Sequence, residues 1–267
     1  MKIHAIQAGR LKGNETTLKS SHWSSILRRR KPYEFPAYVY IIERPGGHIV
    51  IDTGMNSEAK HIPLPLRRFV PFPAIRSREE EIGPQMNARG LRPEEVRTVI
   101  LTHLDFDHTG GVGWFRNAEV IVHRPEFESV RTFTGRRRCQ PELWPPSFDP
   151  VLYDMEGDSY GPFPRSKSID DGILHLVPLP GHSLGQVGVI LEIDRMALFF
   201  TADHFLRQDW FIAKWAAGRV FGVDFPACLP ETTRRIRSFI EEMPTVLLPA
   251  HDSEAPRRLA AMEPVPV

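Results

Sequence analysis

Cysteine is scarce in this chain, and long hydrophobic runs are missing from it. Its 267 residues hold two cysteines, Cys139 and Cys228, isolated from each other and from any Cys-x-x-Cys spacing. That excludes a disulfide framework and a thiolate zinc site, and it makes a reducing, cytoplasmic location the expectation. No apolar stretch nears the roughly 18 residues needed to cross a bilayer, so no membrane partner is expected. The opening MKIHAIQAGRLKG alternates polar and apolar residues and lacks the apolar centre of a secretory leader. Charge of one sign is lacking too: 34 Lys and Arg stand against 33 Asp and Glu. Without a basic excess, composition gives no footing for nucleic-acid binding. No internal repeat is visible. The hydrophobic and charged fractions, 41% and 25%, are those of an ordinary globular chain and exclude disorder, collagen and coiled coil. Two residue types are plentiful. The 25 prolines imply long, stiff loops, and the 11 histidines are where chemistry is to be sought.

Along the chain, alternation marks a strand over 1–8. Residues 10–36 read as irregular and basic, centred on Arg28-Arg29-Arg30-Lys31, a run that as a rule is a solvated face. Segments 38–43 and 48–52 form a hairpin across Arg44-Pro45-Gly46-Gly47. The stretch 56–77 has no clear period. A short helix is expected over 78–90, stopped by Gly90, and a helical turn opens at Pro93. Strands follow at 98–101, 119–123 and 174–178, and a strand pair at 188–193 and 196–201 turns at Asp194-Arg195. The aromatics of 205–229 suggest partly helical packing. A helix begins at Pro230, with Ile236, Phe239 and Ile240 at helical spacing. The last strand is 245–248. Together these give one domain over 1–267, with loop-rich insertions near 10–36, 56–77 and 139–165.

The informative segment is Thr102-His103-Leu104-Asp105-Phe106-Asp107-His108-Thr109-Gly110-Gly111. Four metal-capable side chains, His103, Asp105, Asp107 and His108, fall within six residues directly after the apolar run TVIL. Imidazole and carboxylate suit Zn²⁺, and also Mn²⁺, Fe or Co²⁺. Gly110 and Gly111 allow close backbone packing beyond them. A single His beside an Asp is usually a surface pair. Here three further candidates also sit just past apolar runs: His182 after LHLVPLPG, Asp203 after ALFFTA and His251 after TVLLPA. Strand ends gathered at one sheet edge would bring all seven to one point. The remaining histidines, His4, His22, His48, His61, His123 and His175, read as surface or satisfied core residues.

These segments resemble the metallo-β-lactamase-fold hydrolases, whose signature is His-x-His-x-Asp-His after a strand, then a distant His, a bridging Asp and a final His. Within that group the chain is most similar to the N-acyl-homoserine lactonases, through MKIHAIQAG, VIDTG, PGHSLGQVGV and PAHDSEA. The resemblance implies a four-layer αββα sandwich, two mixed sheets between helices, with the site at one sheet edge. It implies two divalent transition-metal ions, zinc foremost. The first would be held by His103, Asp105 and His182, the second by Asp107, His108 and His251, with Asp203 bridging. Asp52 matches a supporting Asp-x-Gly turn. A hydroxide between the ions would attack an ester-like carbonyl of a small-molecule substrate, and Asp107 would pass a proton to the leaving alkoxide. For a lactone the product is an open hydroxy acid, the reaction of quorum quenching. No oligomeric state is implied.

Two positions depart from the pattern. Position 105 is Asp where the family usually has His; a harder ligand there favours Mn²⁺ or Fe or lowers occupancy, and Asp105→His is expected to preserve or raise zinc affinity. Position 206 is Leu where the lactonases place a tyrosine oxyanion donor, and His204 is a possible substitute. The alternatives are a hydrolase of the same fold on a thioester, phosphodiester, carboxylester or β-lactam, and a metal-binding protein without hydrolysis.

Overall fold

The computed structural model describes residues 1–14, 32–60, 72–213 and 226–266. Two mixed β-sheets are stacked face to face and flanked by helices, as expected. The first sheet is built from β1 (Lys2–Asn14), β2 (Pro32–Glu43), β3 (His48–Ile51), β4 (Phe72–Pro73), β5 (Val96–Leu101), β6 (Glu119–His123) and β7 (Val151–Tyr153), in the order β4-β1-β2-β3-β5-β6-β7. The second holds β8 (Lys167–Ile169), β9 (Leu174–Pro178), β10 (Val187–Ile193), β11 (Met196–Ala202) and β12 (Thr245–Pro249), in the order β12-β11-β10-β9-β8. The helices are α1 (Ile82–Asn87), α2 (Phe106–Thr109), α3 (Arg124–Ser129), α4 (Phe133–Cys139), α5 (Gln208–Ile212), α6 (Leu229–Glu242) and α7 (Ala255–Ala261).

The near-continuous apolar strands follow from burial on both faces. Successive side chains point to opposite sides, so each strand serves two cores. Ile49 and Ile51 join Leu198 and Phe200 between the sheets. Val50, with Val99 and Leu101, packs outward against Ile82 and Met86 of α1. Ala197 and Phe199 pack outward against Ile236, Phe239 and Ile240 of α6. That helix puts its apolar residues three and four apart and leaves Glu231, Arg234 and Arg235 paired on its outer side.

The first two strands run longer than alternation indicated. β1 and β2 form a ribbon paired from Lys2↔Glu43 to Asn14↔Pro32, with a register shift between Gln7 and Arg10. The described parts of the segment expected to be irregular over 10–36, namely 10–14 and 32–36, are therefore strand. Its prolines are tolerated in the outer half of the ribbon. The 38–43/48–52 hairpin is present, with Tyr40 opposite Ile51. The helical stretch expected over 78–90 is a 3₁₀ turn (Arg78–Glu80) followed by α1. The basic run 28–31 and His22, His61, Trp215, Phe221 and Phe225 lie outside the described residues. Among the described residues, no helix is long and apolar enough to cross a membrane.

Strand direction fixes the working edge. β9 and β11 both run antiparallel to β10, and β12 runs parallel to β11. The C-terminal ends of β9, β11 and β12 therefore lie at the same edge of their sheet. The sheets are laced there by Val187 N–H donating to Thr102 O at 2.9 Å and Tyr38 N–H donating to Ala250 O at 3.0 Å, which brings the end of β5 alongside.

Candidate metal centre

Every strand that ends at this edge delivers a polar side chain. β5 leads into His103 and, through the loop and α2, into Asp105, Asp107 and His108. β9 leads to His182, β11 to Asp203 and β12 to His251. All seven are buried. Their ligand atoms form three overlapping groups, each within 4.8 Å: His103, Asp105 and His182; His103, His108 and Asp203; Asp107, His108 and His251. Asp203 lies between the other two sets, with its Oδ1 3.3 Å from His108 Nε2 and 3.1 Å from His251 Nε2 and its Oδ2 3.8 Å from His182 Nε2.

The loop after β5 can follow this path because Gly110 and Gly111 have no side chain. A Cβ on Gly110 would lie 2.2 Å from Asn56 N, and one on Gly111 2.3 Å from Thr53 O. Thr53 N–H and its Oγ1–H both donate to His108 O, at 2.7 and 2.8 Å, which locks α2 to the chain just beyond β3.

Three of the four histidines are held by their outer nitrogens. His108 Nδ1–H donates to Asp52 Oδ2 at 2.8 Å, and His251 Nδ1–H donates to Pro36 O at 2.7 Å. His103 Nδ1 lies 3.1 Å from Thr102 Oγ1, whose own hydroxyl donates to Asp52. This fixes the tautomer that leaves each Nε2 lone pair facing inward, the arrangement metal-binding histidines use. Asp52 also accepts Thr102 N–H at 2.8 Å. Its backbone is left-handed, φ 59°, a conformation that Asp tolerates better than most residues.

The residues fit a divalent metal. Among the described residues His103 Nε2 meets no hydrogen-bond partner, and His108 Nε2 and Asp203 Oδ1 face each other without hydrogen-bond geometry. Buried polar atoms are rarely left so. The donor set is all imidazole nitrogen and carboxylate oxygen, the chemistry Zn²⁺ and its neighbours accept.

The electrostatics tell the same story. Burial disfavours charge on His108, His182 and His251, yet all three are raised above the ordinary histidine value: His108 by Asp52, Asp203 and Asp107, His182 by Asp105, and His251 by Asp203 and Asp107. Burial likewise opposes ionisation of Asp203, but His251 and His108 hold it well below the usual carboxylate range. Asp107 is raised, because burial outweighs His108 and His251. His103 is pushed well down by burial and by His108. The site demands positive charge at its centre, and a dication meets that demand better than shared protons do.

Three features were not legible in the sequence. Arg138, from α4, sits on Asp105 Oδ1 and also donates to Glu126 Oε1 at 3.1 Å. Burial raises the Asp105 carboxyl, but Arg138, then His103 and His182, hold it well below the usual range. Leu206 packs beside Phe106 and Tyr33 against the cluster of Leu11, Phe35, Met55 and Trp210. His204 is not among the converging groups. Its Nε2 pairs with Thr233 Oγ1 at 3.0 Å, and burial, then His182, lower it to about 3.

Comparison with known proteins matches residues 32–251 to the metallo-beta-lactamase superfamily. The N-acyl homoserine lactonase AttM of Rhizobium radiobacter is 26% identical over 265 residues, covering 96% of this chain and 94% of that one. The N-acyl homoserine lactonase of Bacillus cereus is 28% identical over 200 residues, covering 74% and 72%. Among solved structures, an N-acyl homoserine lactone hydrolase with N-hexanoyl-L-homoserine bound at its catalytic metal centre superposes with a TM-score of 0.75 at 23% identity, over 95% of this chain and 94% of that one.

Proposed function

Because the chain belongs to the metallo-beta-lactamase superfamily, we propose that it is a metal-dependent hydrolase that opens the lactone ring of N-acyl homoserine lactones. The observation that carries this reading is the convergence of His103, Asp105, Asp107, His108, His182, Asp203 and His251 at one sheet edge. The similarity to lactonases over nearly the whole of both chains supports the choice of bond. Two divalent ions, zinc foremost, would be held here: one by His103, Asp105 and His182, the other by Asp107, His108 and His251, with Asp203 between the two groups. When bound, such ions supply Lewis acidity, polarising a carbonyl and lowering the pKa of water.

The chain's own residues do the rest. Asp52, Thr102 and the Pro36 carbonyl hold the imidazoles in register. Asp107 would pass a proton to the leaving alkoxide oxygen, which in a lactone stays tethered, the role that the family resemblance implies for it. The aliphatic Leu206 adds no hydroxyl donor. One such donor is typically worth about a hundredfold in rate or more, so turnover on lactones is expected to be modest.

A second reading, the same centre acting on a thioester, phosphodiester, carboxylester or β-lactam, is favoured by that leucine alone. Zinc-loaded protein assayed by acid release on short- and long-chain acyl lactones, beside a thioester, a nitrophenyl phosphodiester and nitrocefin, separates the two. Lactone opening above the metal-free control is the expected result. Clear turnover of another substrate with none on any lactone would transfer the protein to the second reading.

A further inference from the structure

Asp105 is the residue of the set that departs from the family, and it is also the one with a buried cation on it. Arg138 Nη1 donates to Asp105 Oδ1, while Nη2 donates to Glu126 Oε1 at 3.1 Å. Glu126 Oε1 accepts Leu104 N–H, also at 3.1 Å, so the anchor is tied to the same loop. The side chains of Arg138 and Asp105 are 11% and 10% exposed, and that of Glu126 is 1% exposed. With Oδ1 engaged, Asp105 turns its Oδ2 inward, 3.0 Å from His182 Nε2 and 3.7 Å from His103 Nε2.

We propose that Arg138, anchored by Glu126, is a positioning residue for the first metal pocket: it occupies one oxygen of Asp105, so that Asp105 offers a single ligand oxygen where the family usually has a single imidazole nitrogen. The inference rests on the metal-centre reading above and refines it. A free carboxylate can take an ion through both oxygens. Held by Arg138, Asp105 keeps the single donor atom of the residue it replaces. The two positions are then interchangeable only together. Asp105→His alone takes the Asp105 acceptor from Arg138 Nη1 and sets that donor, still anchored by Glu126, against the new imidazole, which opposes the gain in zinc affinity that ligand chemistry by itself suggests. Arg138→Met alone leaves the carboxylate free and uncompensated. Asp105→His combined with Arg138→Met restores a neutral donor. Adding Glu126→Gln removes the last buried charge and keeps an acceptor for Leu104 N–H.

The test is zinc titration of wild type, both single variants, the double and the triple variant against a competing chelator. Metal content and the visible absorption of the Co²⁺-loaded forms are measured in parallel, and circular dichroism checks folding. Removing a group that orients a ligand typically weakens metal binding about 10–100-fold. We expect each single variant to weaken one of the two zinc ions by that amount, with the ion held by Asp107, His108 and His251 unchanged. The double or the triple variant should return to within a few-fold of wild type. Asp105→His binding zinc as tightly as wild type, or folded double and triple variants without recovery, would overturn this proposal alone. Wild type that binds no zinc would overturn the metal reading and the proposal with it.

Discussion

At the scale of the residue, what matters is how few degrees of freedom the donor atoms retain. Asp52 does not face the centre, yet it accepts the His108 ring N–H, the Thr102 hydroxyl and the Thr102 amide. Through His108 it sets the direction of one donor, and through Thr102 it braces His103. Asp52→Ala is therefore expected to weaken metal binding about 10–100-fold without removing any proposed ligand. Asp203→Ala, which deletes the oxygen set between both groups, should release metal outright and abolish hydrolysis. Chelator competition and metal analysis on the two variants check this. Unchanged affinity in Asp52→Ala would mean that the Asp52 network is only a brace of the fold.

At the scale of the element, the loop from β5 through α2 carries more of the site than its four-residue helix suggests. Its course depends on backbone packed against backbone: Gly110 against Met55 and Asn56, and Gly111 against Thr53. A methyl at Gly110 has no flexible side chain to displace, so the loop itself must move. Overpacking of this kind costs about 1–3 kcal/mol. Gly110→Ala should lower the melting temperature correspondingly and reduce metal content, because His108 and Asp107 shift with the loop. Gly46→Ala, in the β2–β3 turn where nothing lies within 4 Å, is the control and should be near neutral. Equal melting temperatures for the two variants would contradict the packing argument.

At the scale of the whole molecule, the two sheets act as one frame for a cluster of charge. His108, His182 and His251 hold a proton more tightly in the metal-free fold than the ordinary value of 6.5 implies. The stability this gives the metal-free protein is fully present below 6.5 and fades as pH rises through the raised values. Metal and proton compete for the same nitrogens, so metal binding must release protons. Apparent zinc affinity should therefore rise with pH across and above neutrality. Calorimetric titration in buffers of different ionisation enthalpy would show the proton release directly. A pH-independent affinity with no proton released would mean that the three imidazoles are not the groups metal displaces.

The sequence by itself determined the strand ends and their chemistry. An apolar run buried on both faces followed by His, Asp or a Gly-Gly turn is a local pattern, and His103, Asp105, Asp107, His108, His182, Asp203 and His251 are all legible as candidates in that way. The long helix from Leu229 to Glu242 is equally local, written in the spacing of Ile236, Phe239 and Ile240. Tertiary structure decided what faces what. The β1–β2 ribbon reaches Asn14 and Pro32 because pairing with a partner strand overrides the weak strand preference of Gly and Pro at its far end. Arg138 lies 33 residues from Asp105, and Glu126 sits on a different short helix. Nothing in the run Arg136-Arg137-Arg138 says which guanidinium turns inward. That choice follows from how the chain folds over the loop after β5, where a buried carboxylate needs a cation and, among the described residues, Arg138 is the one that pairs with it.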